Sequence, residues 1–456
     1  MNEEGPRRIS SPYRSTHLFI HRSNRRGGAS VPDDDSAILL RNFVRDAKVA
    51  REIPSPILFW DETLRDGEQM PGVVFSPEEK LEIAKLMDEV GIFMTNGGIP
   101  VVSKKEMEAV KLLVKEGFSK MRILAAARTL KGDVDAVIES GAPEIAIFVA
   151  CSDLHLKYKL RMTREQVLDA SVKMIEHAKS HWLTVNFVTE DTVRADPTYV
   201  DLLYNAALDA KADRLVFCDT VGVMSPSSMF WWIHERRKAL KRRVPLCIHC
   251  HNDFGMAVAN ELAAIEAGVQ IPHTCINGLG ERAGNAAFED LAAALHFLYG
   301  IDLGFKMEKL YELSRKVEEI SGIPVGVSKP VIGYNAFSHE SGIHTHGIIK
   351  HQLTYEPIQP EQVGMKRKFV YGKHTGTASV EERLKSIGLV LEKEQLVEVA
   401  NRIKALAESR GKKDVQEFIR TYREYEEVKK GVQEEEVFAI ARQVKAESEK
   451  RKVEAK

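Results

Sequence analysis

The sequence has few cysteines, almost no net charge and no long hydrophobic run. Its five cysteines are odd in number and fall mostly inside apolar segments, which is typical of reduced thiols and argues against a disulfide framework. The formal net charge of −1 provides no overall field for nucleic acid or an anionic membrane. No apolar run approaches the roughly 18–20 residues that cross a bilayer, and no signal-peptide pattern is present. We expect a cytoplasmic protein that binds neither nucleic acid nor membrane.

The first 50 residues have a different composition from the rest of the chain. The segment RRISSPYRSTHLFIHRSNRRGGASVPDDD is rich in Arg, Ser, Gly and Pro and has no sustained periodicity. We interpret residues 1–50 as a flexible N-terminal extension. A targeting segment is the alternative, but the acidic residues in NEE and PDDD weaken it.

Apolar, β-branched runs alternate with helical patterns from residue 57 onward. Ser76, Ser103 and Thr163 are suitable N-caps of the intervening helices, and Gly91 and Gly117 are suitable helix ends. Eight strand–helix units at ~30-residue spacing predict an α/β fold, a closed (β/α)8 TIM barrel over residues 51–304. An open doubly wound sheet is the alternative. The candidate strands are ILFW (57–60), IFMT (92–95), MRILAAA (121–127), EIAIFVA (144–150), LTVNFV (183–188), RLVFCD (214–219), PLCIHCH (245–251) and QIPHTCI (270–276).

The alternation of strands and helices stops after Gly304. We expect residues 305–380 to form a small α-rich lid or linker subdomain. The charged residues 381–456 are expected to form a helical C-terminal segment with a solvated surface.

Polar residues cluster where the predicted strands end, and the clearest cluster is HCHND. Side chains alternate across a strand, so His249 and His251 point the same way and Cys250 points the opposite way. Asp66 follows the first strand and Asn285 follows the eighth, and both strands neighbour the seventh in a barrel. Two imidazoles with carboxylate and amide oxygens suit a catalytic Mn, Mg, Co or Zn ion with positions left open for substrate.

The same region has two further motifs that could indicate a binding site. Cys247 and Cys250 form a C-x-x-C, but no second pair follows to complete a structural zinc knuckle. The glycines of GLGERAGN precede a helix start and fit either a phosphate site or a tight turn. Their spacing and their place after the last strand argue against a dinucleotide site.

Several motifs in this order resemble one known family. DETLRDGEQMPGV, HCHNDFGMA, NGLGERAGN, HESGIHTHG, TYEPI and GKHTG are similar to the 2-isopropylmalate synthase and homocitrate synthase family, over roughly residues 55–380. The resemblance implies a metal-dependent TIM-barrel acyltransferase of amino-acid biosynthesis, such as leucine biosynthesis. Such an enzyme joins acetyl-CoA to a 2-oxo acid by Claisen condensation, hydrolyses the thioester and releases CoA.

The resemblance also implies roles for individual residues. A divalent metal is held by Asp66, His249, His251 and Asn285, and Arg65 stabilises the developing oxyanion. Thr220 holds the substrate carboxylate, and Glu190 is a second carboxylate on the substrate side. His344 and Tyr355 lie at the positions of the family's acid–base pair. Because that segment covers the partner subunit's barrel in the family, a homodimer with lid residues contributed in trans is implied.

The sequence departs from the family pattern at two positions. Asn96 in TNGGIP stands where many members have Glu, so we expect a negative charge to be missing beside the pocket. That loss would favour a dicarboxylic 2-oxo acid such as oxaloacetate or 2-oxoglutarate. His346 stands where many members have Asp, which alters the charge near His344. The family's long leucine-sensing domain has no counterpart after GKHTG, so we expect no leucine inhibition through such a domain.

The sequence leaves three alternative functions. The first is a citrate synthase of the Re-face type, which condenses acetyl-CoA with oxaloacetate. The second is a retro-Claisen lyase of the 3-hydroxy-3-methylglutaryl-CoA type, but such lyases usually carry a cysteine in the loop after strand eight, and GLGERAGN has none. The third is a non-catalytic binding protein that uses the basic N-terminal extension, but this extension is short and lacks the interleaved aromatic residues of nucleic-acid binders.

Overall fold

The computed structural model describes residues 41–426 and 431–454, with side chains up to residue 451. The chain divides into two units after Ala47. Within the first unit, residues 41–47 are described and contain the short helix α1, Phe43–Asp46, whose N-cap is Asn42. The predicted extension over residues 1–50 therefore lies largely outside the described residues.

Eight parallel strands close into a barrel in sequence order, so β1 pairs with both β2 and β8. The predicted (β/α)8 barrel is confirmed, and the open doubly wound sheet is wrong. Trp60 is opposite Met94 on one side and His273 on the other, which fixes the closing register. The strands are β1 Trp60–Asp61, β2 Met94–Asn96, β3 Arg122–Arg128, β4 Glu144–Ala150, β5 Thr184–Glu190, β6 Arg214–Asp219, β7 Leu246–Cys250 and β8 Ile271–Thr274.

Helices follow the strands and surround the barrel. Ser76, Ser103 and Thr163 accept hydrogen bonds from the first-turn amides of their helices, and Gly91 and Gly117 end two helices in the left-handed conformation. The predicted caps are thus confirmed. The barrel helices are α2 Pro77–Val90, α3 Lys104–Glu116, α4 Lys131–Ser140, α5 Asp153–His155, α6 Arg164–Ser180, α7 Pro197–Asp209, α8 Pro226–Ala239, α9 Ala257–Glu266 and α10 Phe288–Ala293.

The inside of the barrel is a packed core rather than a channel. Apolar side chains from most of the strands fill it, with Trp60, Met94, Leu124 and Val216 among them. A second group of buried polar residues, Glu144, Asn186 and Arg214, lies toward the amino ends of the strands, whereas the loops at the carboxyl ends leave space for a ligand.

After the barrel the chain is mainly helical. α11, Leu310–Ser321, packs on the barrel helices through residues such as Leu313 and Val317. Two short parallel strands, β9 Ser338–His339 and β10 Lys368–Phe369, flank the segment that carries the predicted lid residues. The remaining helices are α12 Gly342–Lys350, α13 Thr377–Lys385, α14 Lys393–Ser409, α15 Lys413–Glu424 and α16 Glu434–Glu454. The boundaries expected at residues 304 and 380 stay predictions.

Within the described residues, none of the helices is both long enough and apolar enough to cross a membrane.

Candidate active site

A cavity of about 280 Å³ opens at the carboxyl ends of the barrel strands. Most of the residues predicted for the site line it, although they come from loops spread over more than 180 positions of the chain. Those lining residues are Arg65, Asp66, Asn96, Glu190, Thr220, His249 and His251.

Three predicted metal ligands converge at one side of this cavity. One potential ligand atom each from Asp66, His249 and His251 lies within 4.8 Å of the other two. The two Nε2 atoms are 3.2 Å apart, and Nε2 of His251 is 3.9 Å from Oδ2 of Asp66. All three side chains are buried, so the surrounding protein fixes their positions.

Asn285 completes the set of four. Its Nδ2 donates to Asp66 Oδ2 at 2.5 Å, while its Oδ1 is buried without a hydrogen-bond partner. A buried carbonyl oxygen without a partner is costly, and a cation beside it would satisfy it. The donor set of two imidazole nitrogens, a carboxylate and an amide oxygen fits a divalent metal of the Mn, Mg, Co or Zn kind.

A glycine turn brings Asn285 to Asp66. Gly280 has φ of +147°, and a Cβ there would collide with the Asn285 amide. Gly284 has φ of +82°, and a Cβ there would collide with the carbonyl oxygen of Gly278. The glycines of GLGERAGN therefore form a tight turn that presents the Asn285 side chain to Asp66, which agrees with the tight-turn alternative.

The protonation states also suit metal binding. Burial lowers the pKa of His249 to about 3 and also lowers the pKa of His251. Burial alone would raise the pKa of Asp66, but Arg65 and the two imidazoles outweigh it and hold that pKa at about 2. Neutral imidazoles and an ionised carboxylate are the forms that bind a metal without first losing a proton.

Cys250 points away from the metal site, as strand alternation predicts. It belongs to the core between barrel and helices, whereas Cys247 belongs to the core inside the barrel. Two cysteines on opposite faces of one strand cannot hold the same ion, so the zinc-knuckle alternative is wrong. All five cysteines are buried free thiols.

Arg65 is held at the cavity by two carboxylates. Its Nε donates to Glu62 Oε2 at 2.7 Å, and its Nη1 donates to Asp66 Oδ1 at 2.8 Å. Within the described residues, Nη2 of this guanidinium donates no hydrogen bond. Arg65 is therefore oriented beside the metal ligands with donor capacity left for a substrate.

The acidic group expected to be missing beside Asn96 is supplied by Glu62, although burial raises the pKa of that carboxyl group. Nδ2 of Asn96 donates to both carboxylate oxygens of Glu62, at 3.3 and 3.2 Å, and both residues line the cavity. The inference of a dicarboxylic substrate from Asn96 therefore loses its premise. The physical reason is that strand pairing places β1 and β2 side by side, so Glu62 supplies a carboxylate that Asn96 lacks.

Glu190 at the end of β5 and Thr220 just after β6 also line the cavity, each with a partner. Glu190 pairs with Lys159 Nζ at 2.6 Å, and its Oε1 is 3.4 Å from Nδ1 of His155. The hydroxyl of Thr220 accepts the backbone N–H of Asp191 at 2.8 Å. That hydroxyl can still donate its own hydrogen to a ligand.

His344 and Tyr355 are together but do not line this cavity. Their rings stack with centroids 4.1 Å apart on the surface of the segment after the barrel. Glu356, next to Tyr355, is buried and accepts from His339 and Arg367, which anchors the segment. His346 is exposed on the same helix as His344. The cavity of one chain thus lacks both of these side chains.

Sequence reasoning missed several residues that line the cavity, among them Trp60, Glu62, Lys159 and His273. Strand alternation could have identified Glu62 and His273. Each lies two positions from a residue that faces the inside of the barrel, Trp60 and Ile271 respectively. Burial lowers the pKa of His273 well below its usual range. Lys159 lies in a π-helical turn, Leu156–Leu160, that no simple periodicity predicts.

The fold and the convergent donors define a class of protein, a (β/α)8 barrel with a divalent-metal site at the carboxyl ends of its strands. The barrel is similar to that of a 3-hydroxy-3-methylglutaryl-CoA lyase from Bacillus subtilis, with a TM-score of 0.55 and 20% identity over 60% of this chain and 97% of the lyase. A likeness at that identity shows the fold alone.

The sequence comparisons are more specific. The HMGL-like family matches residues 56–317, and the homocitrate synthase post-HMGL domain matches residues 331–411. Homocitrate synthase AksA of Methanopyrus kandleri is 50% identical over 81% of this chain and 92% of its own length. The 2-isopropylmalate synthase of Methanocaldococcus jannaschii is 45% identical over 80% of this chain and 71% of its own. The (R)-citramalate synthase of the same organism is 44% identical over 76% and 70%.

The chain belongs to the HMGL-like family, in its branch of 2-isopropylmalate and homocitrate synthases. The predicted family is confirmed, and with it the predicted enzyme class of condensing acyltransferases.

Proposed function

We propose that this chain condenses acetyl-CoA with a 2-oxo acid, hydrolyses the resulting thioester and releases CoA and a 2-hydroxy acid. The observation that carries the proposal is the convergence of Asp66, His249 and His251 beside a fixed arginine at one cavity. The family's condensing enzymes support the same reaction.

The metal ligands and Arg65 act on the 2-oxo acid. A divalent cation held by Asp66, His249, His251 and Asn285 would act as a Lewis acid on the ketone and its neighbouring carboxylate. Arg65 donates from a position fixed by Glu62 and Asp66, so it needs no reorientation as negative charge develops on the ketone oxygen. The Thr220 hydroxyl donates to the substrate carboxylate from its position just after β6.

The proton of the acetyl methyl group needs a base from outside this cavity. His344 and Tyr355 are the candidates, and they lie away from the cavity of their own chain. We propose that they reach the cavity of a second copy, so that the active enzyme is a homodimer. Glu190, held by Lys159, remains the carboxylate on the substrate side.

The cavity wall favours a 2-oxo acid with an uncharged side chain. Apolar residues from the β2 to β5 region form one wall: Ile99, Ala126, Ala146, Phe148 and Val188.

The cations that line the cavity have carboxylate partners: Arg65 with Glu62, Lys159 with Glu190, and Arg282 with Asp253. A second substrate carboxylate would therefore have to share a cation that already has a carboxylate partner. This supports 2-oxoisovalerate or pyruvate over 2-oxoglutarate or oxaloacetate.

Release of free thiol from acetyl-CoA tests the proposal. The four 2-oxo acids are assayed separately with Mn²⁺, Mg²⁺, Co²⁺ or Zn²⁺. We expect metal-dependent thiol release with at least one 2-oxo acid, fastest with an uncharged side chain. Absence of turnover with all four contradicts the reaction, whereas preference for a dicarboxylic acid contradicts the argument from the cavity wall alone.

A further inference from the structure

A fully buried lysine lies behind the active-site loops. Lys80 is on α2 and has no exposed surface. Its Nζ lies 2.7 Å from Glu68 Oε2 and 2.6 Å from Glu106 Oε1, and it donates to the carbonyl of Gly97 at 3.2 Å. A buried ammonium is costly unless it is paired and hydrogen-bonded, and here it has two carboxylate partners and a carbonyl acceptor.

The first carboxylate belongs to the loop that holds the metal ligand. We call residues 62–76 the β1 loop, which carries Arg65 and Asp66. Glu68 follows Asp66 by two positions in a tight 3-10 turn, Gly67–Gln69. Its other oxygen accepts the N–H of Phe75 at 2.8 Å, near the end of the same loop. Glu68 therefore fixes the course of the β1 loop and ties it to Lys80.

The second carboxylate holds the neighbouring loop. We call residues 97–103 the β2 loop, which begins directly after Asn96. Glu106 Oε1 pairs with Lys80, and its Oε2 accepts the N–H of Ile99 at 3.2 Å. A Cβ at Gly98 would collide with the Glu106 carboxylate, and φ there is +136°. The β2 loop is thus shaped to receive this pair, and it places Ile99 on the cavity wall.

Stability alone is a weak reason for such a cluster. Desolvation of buried charges offsets much of their attraction, and apolar replacements of buried ion pairs are often neutral or stabilising. What the cluster supplies here is geometry, because one ammonium sets the distance between two loops that carry different parts of the site.

We propose that Lys80 is a positioning residue with two separable arms. The Glu68 arm holds Arg65 and Asp66 in place for the metal, and the Glu106 arm holds Asn96 and Ile99 in place for the side chain of the 2-oxo acid. The inference rests on the proposed function for the identity of the ligand at the second arm. Residues that support metal ligands from behind typically change metal affinity 10–100-fold when replaced.

Two binding constants test the arms without turnover. The dissociation constant of Mn²⁺ is measured first, and then those of 2-oxoisovalerate and 2-oxoglutarate at saturating Mn²⁺. We expect Glu68→Gln to weaken Mn²⁺ binding by at least about 10-fold. Glu106→Gln should leave Mn²⁺ affinity within about threefold and weaken 2-oxo acid binding by about 10-fold.

Lys80→Met should weaken both bindings, and Lys80→Arg should restore part of each. Lys85→Met is the matched control, because Lys85 lies on the same helix in an exposed pair with Glu116 at 3.0 Å. We expect that control to match the wild type in both constants.

Equal effects of Glu68→Gln and Glu106→Gln on both constants would overturn the two-arm proposal. So would a lowered Tm of Lys80→Met with both constants within threefold of wild type, since that is a purely structural role. If Lys80→Met does not fold, the dissociation constants of Glu68→Gln and Glu106→Gln test the two-arm proposal. If the wild type binds Mn²⁺ but neither 2-oxo acid, the proposed function fails, and the Mn²⁺ constants still decide the Glu68 arm.

Discussion

At the scale of single residues, the site depends on which face of a strand each side chain occupies. His249 and His251 face the cavity at one end of β7, and Cys250 between them faces the helices. A shift of one residue in register would exchange these roles. The identity of the ligands is therefore a consequence of strand geometry as much as of residue type.

Replacement of the two histidines should separate metal binding from packing. We expect His249→Ala or His251→Ala to abolish stoichiometric Mn²⁺ binding, because each removes one of two nitrogen donors. Cys250→Ala should bind Mn²⁺ as the wild type does and lose only a modest amount of stability, about 1 kcal/mol from a smaller buried side chain. Calorimetric titration of the metal measures both effects, and loss of Mn²⁺ binding in Cys250→Ala would contradict this assignment.

The buried histidines should also give the metal-free protein a defined pH dependence. The folded protein holds the pKa of His249 at about 3, whereas the unfolded chain has the ordinary value of 6.5. Between these values the unfolded state binds more protons, so the free energy of unfolding falls as pH falls below about 6.5. Urea denaturation at pH 7.5, 6.5 and 5.5 measures this. His249→Gln should show a shallower fall, and an unchanged slope would contradict the burial argument.

At the scale of elements, much of the barrel could be predicted from sequence. The bounds of β4 and β6 match the apolar runs, Glu144–Ala150 and Arg214–Asp219, because nearly continuous apolar runs mark buried parallel strands. β1 is shorter than the run that predicts it, although Leu58 still donates to the carbonyl of Gln270 on the β8 side. The prediction and the structure therefore differ in where the regular strand pairing of β1 begins.

Other features of the site could not be predicted, because they depend on contacts between distant residues. Glu62 and Asn96 are 34 positions apart and meet only through the pairing of β1 with β2. Lys80 in SPEEKLEIA reads as an exposed charge on an amphipathic helix, yet it is fully buried. Its partners Glu68 and Glu106 come from other elements, so periodicity carries no sign of the cluster.

The helix after β9 offers a test of the proposed base. Gly347 lies in α12 where a Cβ would come within 2.8 Å of the Tyr355 ring. We expect Gly347→Ala to displace Tyr355 from His344 and to lower thiol release by up to about 10²-fold, as a misplacement of ~1 Å can do. Mn²⁺ affinity should not change, because α12 contributes no metal ligand.

Gly132→Ala is the control for this substitution. Gly132 is also in a helix, but a Cβ there meets nothing within 4 Å. Wild-type thiol release by Gly347→Ala, or an equal loss in the control, would show that the contact between Gly347 and Tyr355 does not matter for catalysis.

At the scale of the whole molecule, the proposed dimer joins a cavity from one chain with a lid from the other. Arg65→Gln inactivates the cavity, and His344→Ala inactivates the lid. If sites are shared in trans, a mixture of the two variants contains mixed dimers with one intact site each. We expect co-expression to restore up to about a quarter of wild-type thiol release, from random pairing of two equivalent subunits. No recovery with confirmed mixed dimers would contradict the shared site.

The central claim is that the metal site drives formation of a carbon–carbon bond, and isotope labelling tests it most directly. The protein is incubated with Mn²⁺, acetyl-CoA labelled with ¹³C in both acetyl carbons, and the 2-oxo acid that gives the fastest thiol release. The account predicts a 2-hydroxy acid that carries both labelled carbons, formed in equal amount to free CoA and absent from the His249→Ala variant. Labelled acetate as the sole product alongside CoA would be simple thioester hydrolysis and would contradict it.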